Sequence, residues 1–181
     1  MAGRIHITDE LSAERVRRGI FLVLLHVDRL PPHIGLMMNG QYHSLSIKGH
    51  ELNVKAEVLL KNISVRKIPS VFIEIQKHPV FSNEHLGECF AEEVKQFDKV
   101  GVNDNTCLSP VKLFFGEFYA IKKEEIDLIF DLLAQLKQHQ FIEGALGANL
   151  GPLKENIFYL QTYNRQDLNK QIQEEAAKLK K

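Results

Sequence analysis

Two hydrophobic rhythms run along this chain. Residues 19–27, Gly-Ile-Phe-Leu-Val-Leu-Leu-His-Val, form a continuous and partly β-branched apolar run. It is too short for a typical helix and has no polar face, so a central strand buried on both sides is expected. Residues 33–38 and 41–47 flank Asn39-Gly40, a dipeptide that tolerates the left-handed backbone of a tight hairpin turn. Residues 69–75 read as another strand and residues 156–163 as the last one. A period near 3.6 appears at Leu86, Cys89, Phe90, Val94 and Phe97 after Ser82-Asn83, which predicts a capped helix with Cys89 on its packed face. The same period at Ile126, Ile129, Phe130, Leu133 and Leu136 predicts a helix over residues 123–140, with Glu124 and Glu125 in its first turn. A shorter helix is expected over residues 54–61, with Val54, Val58 and Leu59 inward.

Other stretches say less. Residues 1–15 fit a short edge strand or an arm, and residues 116–121 fit a helix end or a strand. Gly144, Gly147 and Gly151 mark a loop. Residues 167–181 read as a charged helix with a thin apolar stripe at Leu168, Ile172 and Leu179. The expected organisation is one domain over residues 1–164 followed by a charged helical tail, 165–181, either solvated or packed on a protein partner.

Composition narrows the function classes. A chain of 181 residues can bury a core without staples. Its 23 basic residues balance 23 acidic ones, so no overall field favours nucleic acid. Two cysteines without a C-x-x-C pair form neither a disulfide framework nor a structural zinc site. No run approaches the ~20 apolar residues of a membrane helix, and the first apolar run, residues 20–25, ends too soon for an export signal. A cytoplasmic protein is therefore expected. The glycines match neither G-x-G-x-x-G nor G-x-x-x-x-G-K-[ST], and there is no H-E-x-x-H, calcium loop or G-x-S-x-G elbow, so no cofactor or metal is expected.

What remains is a cysteine with distant histidines. Asn103-Asp104-Asn105-Thr106-Cys107-Leu108-Ser109-Pro110-Val111 places Cys107 where a polar turn gives way to a helix. Free backbone N–H groups and the positive end of a helix dipole favour a thiolate there. If the helix starts at Thr106 or Cys107, the thiol feels the dipole; if Ser109 is the cap, it lies just outside. The plainer alternative is a small buried apolar residue beside a turn. A nucleophilic thiol needs a base and a polar group to orient that base. His33 and His43 are the candidates, with Ser44, Ser46, His50 and Glu51 as alternatives to His43. The parity of the hairpin decides between them. A two-residue turn at Asn39-Gly40 puts the two histidines on opposite faces and favours Ser46, whereas a three-residue loop puts them on one face.

The segment Pro32-His33-Ile34-Gly35-Leu36, through Asn39-Gly40, to Tyr42-His43-Ser44-Leu45 resembles the hairpin of circularly permuted papain-like cysteine hydrolases. These belong to the NlpC-type superfamily, in the branch that includes the lecithin:retinol acyltransferase-like enzymes. The resemblance covers mainly residues 20–50 and 103–115. It implies an α+β fold in which an antiparallel sheet and its hairpin pack against a helix bearing the cysteine. It also implies Cys107 as nucleophile, His33 as general base and His43 as the orienting residue. The chain departs from the acyltransferase-like pattern around the cysteine, where Thr106 precedes it and Leu108-Ser109-Pro110 follows. The expected activity is a thiol-dependent hydrolase or acyltransferase acting on an amide, ester or thioester of a small molecule or peptide. The alternative is a non-enzymatic binding or assembly module.

Overall fold

The computed structural model describes residues 3–181. In chain order its elements are β1 (Arg4–His6), β2 (Asp9–Glu10), α1 (Ala13–Arg18), β3 (Ile20–Leu25), β4 (His33–Met38), β5 (Gln41–Ser46) and β6 (Gly49–Lys55). Then come α2 (Ala56–Arg66), β7 (Ser70–Ile75), α3 (Asn83–Lys95), α4 (Leu108–Phe118), α5 (Ile129–Gln138), β8 (Ile142–Ala148), β9 (Ile157–Tyr159) and α6 (Arg165–Leu179). This is an α+β fold. Its main sheet has seven strands in the order β2-β8-β7-β3-β4-β5-β6, antiparallel except for the short β2–β8 pair. β3 lies in the middle, and all six of its residues are buried, as a strand with no polar face requires.

Alternation along the strands sends side chains into two cores. On one face Phe21, Val23, Met37, Tyr42 and Phe72 meet Val16 of α1 and Leu59 and Ile63 of α2. On the other, Leu22, Leu24, Ile34 and Leu36 meet Phe90 of α3, Phe114 of α4, Leu133 of α5 and Leu168 and Ile172 of α6. α3 begins where Ser82 caps it, its hydroxyl accepting from the His85 N–H at 3.2 Å.

Several sequence expectations shift by a turn or change type. β6 runs on to Lys55, paired with Gln41, so α2 starts later than expected. Its inward residues are Ala56, Leu59 and Ile63, while Val58 is exposed. The helix expected over 123–140 is split: residues 123–125 form a separate 3-10 turn, and α5 starts at Ile129. The cause is Asp131, whose carboxylate accepts the N–H groups of Asp127 at 2.9 Å and Leu128 at 2.8 Å and so fixes the new helix start.

Gly144 and Gly147 belong to strand β8 rather than to a loop. There the N-terminal arm crosses so closely that a Cβ on Gly144 would sit 2.8 Å from Thr8 Oγ1. The arm itself is an edge: β2 pairs with β8, and β1 pairs with β9. The segment 165–181 is anchored along its first half. Leu168 and Ile172 are buried in the second core and Arg165 pairs with Asp127, whereas beyond Ile172 no residue is buried and Leu179 is exposed. Among the described residues, no helix is long and apolar enough to cross a membrane.

Candidate functional site

The hairpin β4–β5 closes with a two-residue turn. Met38 pairs with Gln41, and Asn39 and Gly40 both take positive φ, 51° and 68°, as a mirror-image turn demands. Gly35 therefore pairs with Ser44, and Leu36 with His43. Parity puts His33 and Ser44 on one face of the sheet and His43 on the other.

The polar contacts follow that register. His33 Nε2 lies 2.9 Å from Ser44 Oγ, and Ser44 donates its hydroxyl hydrogen to Glu51 Oε2 at 3.1 Å. Ser44 and Glu51 are paired across β5 and β6, which is why the chain forms. Ser44 has one hydrogen, already given to the carboxylate, so Nε2 of His33 must be the donor to Ser44. The imidazole is thereby fixed as the Nε2–H tautomer. Nδ1 keeps its lone pair and has no hydrogen-bond partner among the described residues. Burial pulls the His33 pKa down, opposed by the Glu51 carboxylate, so the ring rests uncharged.

The other candidates do different work. His43 is buried against Phe90, accepts the Asn53 N–H at Nδ1 (3.0 Å), and has its pKa pushed down to about 4 by burial and by Lys95. Ser46, the residue favoured by turn parity, donates to the Gly49 carbonyl at 3.2 Å and accepts from Lys48 N–H, closing the β5–β6 turn. His50 bonds the Phe97 carbonyl. Ser44 and Glu51 therefore occupy the place beside His33 that the resemblance assigned to His43. A side chain at position 35 would spoil the arrangement: a Cβ on Gly35 would lie 2.6 Å from the Tyr42 hydroxyl and 2.7 Å from the His43 carbonyl oxygen. Tyr42 lies across that glycine with its hydroxyl buried and unpartnered.

Cys107 is the residue immediately before α4, in helical backbone conformation (φ −60°, ψ −22°). The turn that leads into it is built from its neighbours. Thr106 Oγ1 accepts from the Leu108 N–H at 3.2 Å, and Ser109 Oγ accepts from the Thr106 N–H at 2.9 Å. Pro110 falls in the first turn, where no N–H is needed. The thiol is only 9% exposed, and burial pushes it up to about 11 against the backbone N–H groups of Ile34, Cys107 and Leu108, which favour the thiolate. The sulfur therefore sits against β4 in the core on the Ile34 and Leu36 face, opposite the face that carries His33 and Ser44, and among the described residues no hydrogen bond joins Cys107 to His33. The resting cysteine is a thiol.

A cleft of about 320 Å³ opens beside this turn, lined by Thr106, Leu108 and Ser109 on one side and by Asp127 and Arg165 on another. A larger one, about 900 Å³, lies between the β2 edge and α2; no histidine or cysteine lines it. No protein-family model, curated protein or solved structure matches this chain. Among the described residues, no group of three or more His, Cys, Asp and Glu side chains converges as a metal site.

Cys89 is half-buried at the edge of α3, with its sulfur 3.5 Å from His85 Nε2, rather than in the core. Burial and three nearby glutamates raise its pKa. Sequence reasoning passed over Glu93, which is buried with Oε2 unpartnered and is pushed up to about 8 by burial and by Glu117. The signal was a carboxylate three residues after Phe90 on the packed face of α3. It also passed over Glu175 of α6, whose charge bears on Cys107, His33 and His26 alike.

Proposed function

We propose that this protein is a thiol-dependent hydrolase or acyltransferase of permuted papain-like type, acting in the cytoplasm on an amide, ester or thioester of a small molecule or peptide. The observation that carries the reading is the chain His33–Ser44–Glu51, which holds one ring nitrogen and leaves the other with a free lone pair. Nδ1 of His33 takes the proton from Cys107, relayed by a water around the start of β4 because the two side chains lie on opposite faces of that strand, as the sulfur attacks the substrate carbonyl carbon. The oxyanion forms against the N–H of Cys107 itself, since the Leu108 and Ser109 N–H groups are already engaged by Thr106. The imidazolium, steadied through Ser44 by Glu51, returns its proton to the leaving group. Water or an acceptor nucleophile then cleaves the acyl-thioester by the same route reversed.

One observation favours the alternative of a non-enzymatic module: a buried thiol near 11 is inert. Alkylation by iodoacetamide, located by peptide mapping, separates the two readings. If His33 activates the thiol, His33→Ala or Glu51→Gln slows Cys107 labelling at pH 7 roughly 10-fold or more without changing Cys89. Labelling of Cys107 that ignores both substitutions refutes the enzyme.

A further inference from the structure

A buried nucleophile needs a way out, and α6 is the element placed to provide one. The helix crosses the loop that delivers Cys107. Asn169 Oδ1 accepts the Asn103 backbone N–H at 3.3 Å, and Asn169 Nδ2 donates to Asn103 Oδ1 at 2.7 Å. Its first residue, Arg165, pairs with Asp127 on the rim of the cleft beside Thr106 and Leu108. Its apolar hold is confined to Leu168 and Ile172, which enter the core cluster that contains Cys107, Val27 and Leu108. Beyond Ile172 the helix carries Gln173, Glu174, Lys178 and an exposed Leu179, with no ion pair or side-chain hydrogen bond to the rest of the fold among the described residues. A helix of four turns is thus fastened by two apolar side chains and two polar ties, all in its first half.

We infer that α6 is a hinged cover over Cys107, released as a unit from the 101–106 loop and from Asp127, so that the cleft beside Thr106 and Ser109 extends to the sulfur. The cover's purpose rests on the reading of Cys107 as a nucleophile; its existence does not. Glu175, one turn past Ile172, opposes the thiolate while the cover is shut, so opening both wets the sulfur and removes an unfavourable charge.

The test uses the full chain. Arg165→Gln with Asn169→Ala cuts the polar ties, and Ile172→Ala strips one apolar anchor. Amide hydrogen exchange of α6 and iodoacetamide labelling of Cys107 and Cys89 are measured on each. The expected result is that α6 exchange and Cys107 labelling rise by the same factor, about 10-fold or more for Ile172→Ala, while Cys89 keeps its rate. The cover is overturned if α6 exchange rises and Cys107 labelling does not, or if neither variant speeds α6 exchange. Adding His33→Ala keeps the two claims apart: a cover over an unactivated thiol still shows the matched rise, but the opened Cys107 then labels at the same rate with or without His33.

Discussion

Replacing Glu93 by Gln tests the packing that holds α4, and with it the turn carrying Cys107. Glu93 of α3 is 6% exposed, has one oxygen unpartnered and lies beside Glu117 of α4. Its pKa rises from 4.5 to about 8, burial being the larger cause and Glu117 the second. The folded protein therefore binds a proton on Glu93 between these values that the unfolded chain has released. Stability from this source is complete below pH 4.5 and is lost progressively until about pH 8. The gap, at about 1.4 kcal/mol for each pH unit, gives a ceiling of roughly 5 kcal/mol, a large share of the 5–15 kcal/mol typical of a domain. Glutamine keeps the shape and stays neutral. Urea unfolding followed by circular dichroism from pH 5 to 9 should show Glu93→Gln near wild type at pH 5 and several kcal/mol more stable at pH 9. Parallel curves for the two proteins across that range would refute the buried, protonated carboxylate.

Three further substitutions probe the site and its scaffold. Ser44→Ala removes the hydroxyl that links His33 to Glu51; it should lower stability by about 1–3 kcal/mol and slow Cys107 alkylation at pH 7 roughly 10-fold, and unchanged alkylation would remove Ser44 from the mechanism. Gly35→Ala places a methyl group within 2.7 Å of the His43 carbonyl, a backbone atom that cannot swing aside, so thermal unfolding should show a loss of about 1–3 kcal/mol or more. Asp131→Ala frees two N–H groups at the start of α5 and should cost about 1–2 kcal/mol in urea titration.

Where one interaction dominated, the sequence could be read. β3 had no polar position, Asn39-Gly40 marked a hairpin, and Ser82 had a helix to cap; each element formed as its local chemistry required. Where a distant segment intervened, local reading failed. Gly144 and Gly147 looked like a loop because the close crossing of Ile7 and Thr8 is invisible at 140 residues' separation. Helix α5 was expected to start six residues too early because Ile126 belongs to the apolar stripe but lies before the Asp131 cap. The site shows the same division. Cys107 and His33 were candidates from their neighbours alone, but what stands beside His33 depended on turn parity and on the pairing of β6. Those set Ser44 and Glu51 in line and sent His43 to the other face.

The remaining tension at Cys107 is between position and burial, and its size says how the site must work. Three backbone N–H groups favour the thiolate, yet burial wins and holds the thiol near 11. At pH 7 that leaves about one thiolate in 10⁴, against a few per cent for a free cysteine. The rise from 9.0 to about 11, about 2 pH units or roughly 3 kcal/mol, is what wetting the sulfur returns to the thiolate alone. Detaching α6 exposes Leu168 and Ile172, each worth about 1.5–3 kcal/mol of burial, partly offset by the freedom the helix regains. Opening therefore costs free energy at pH 7, and what it gains is the reactivity of the opened sulfur. The open form is then a minor but accessible population, and a substrate that binds it alone shifts the equilibrium by its own affinity. In the proposed mechanism, exposure and activation of the thiol are a single event, which keeps the sulfur out of reach of chance electrophiles while the cover is shut.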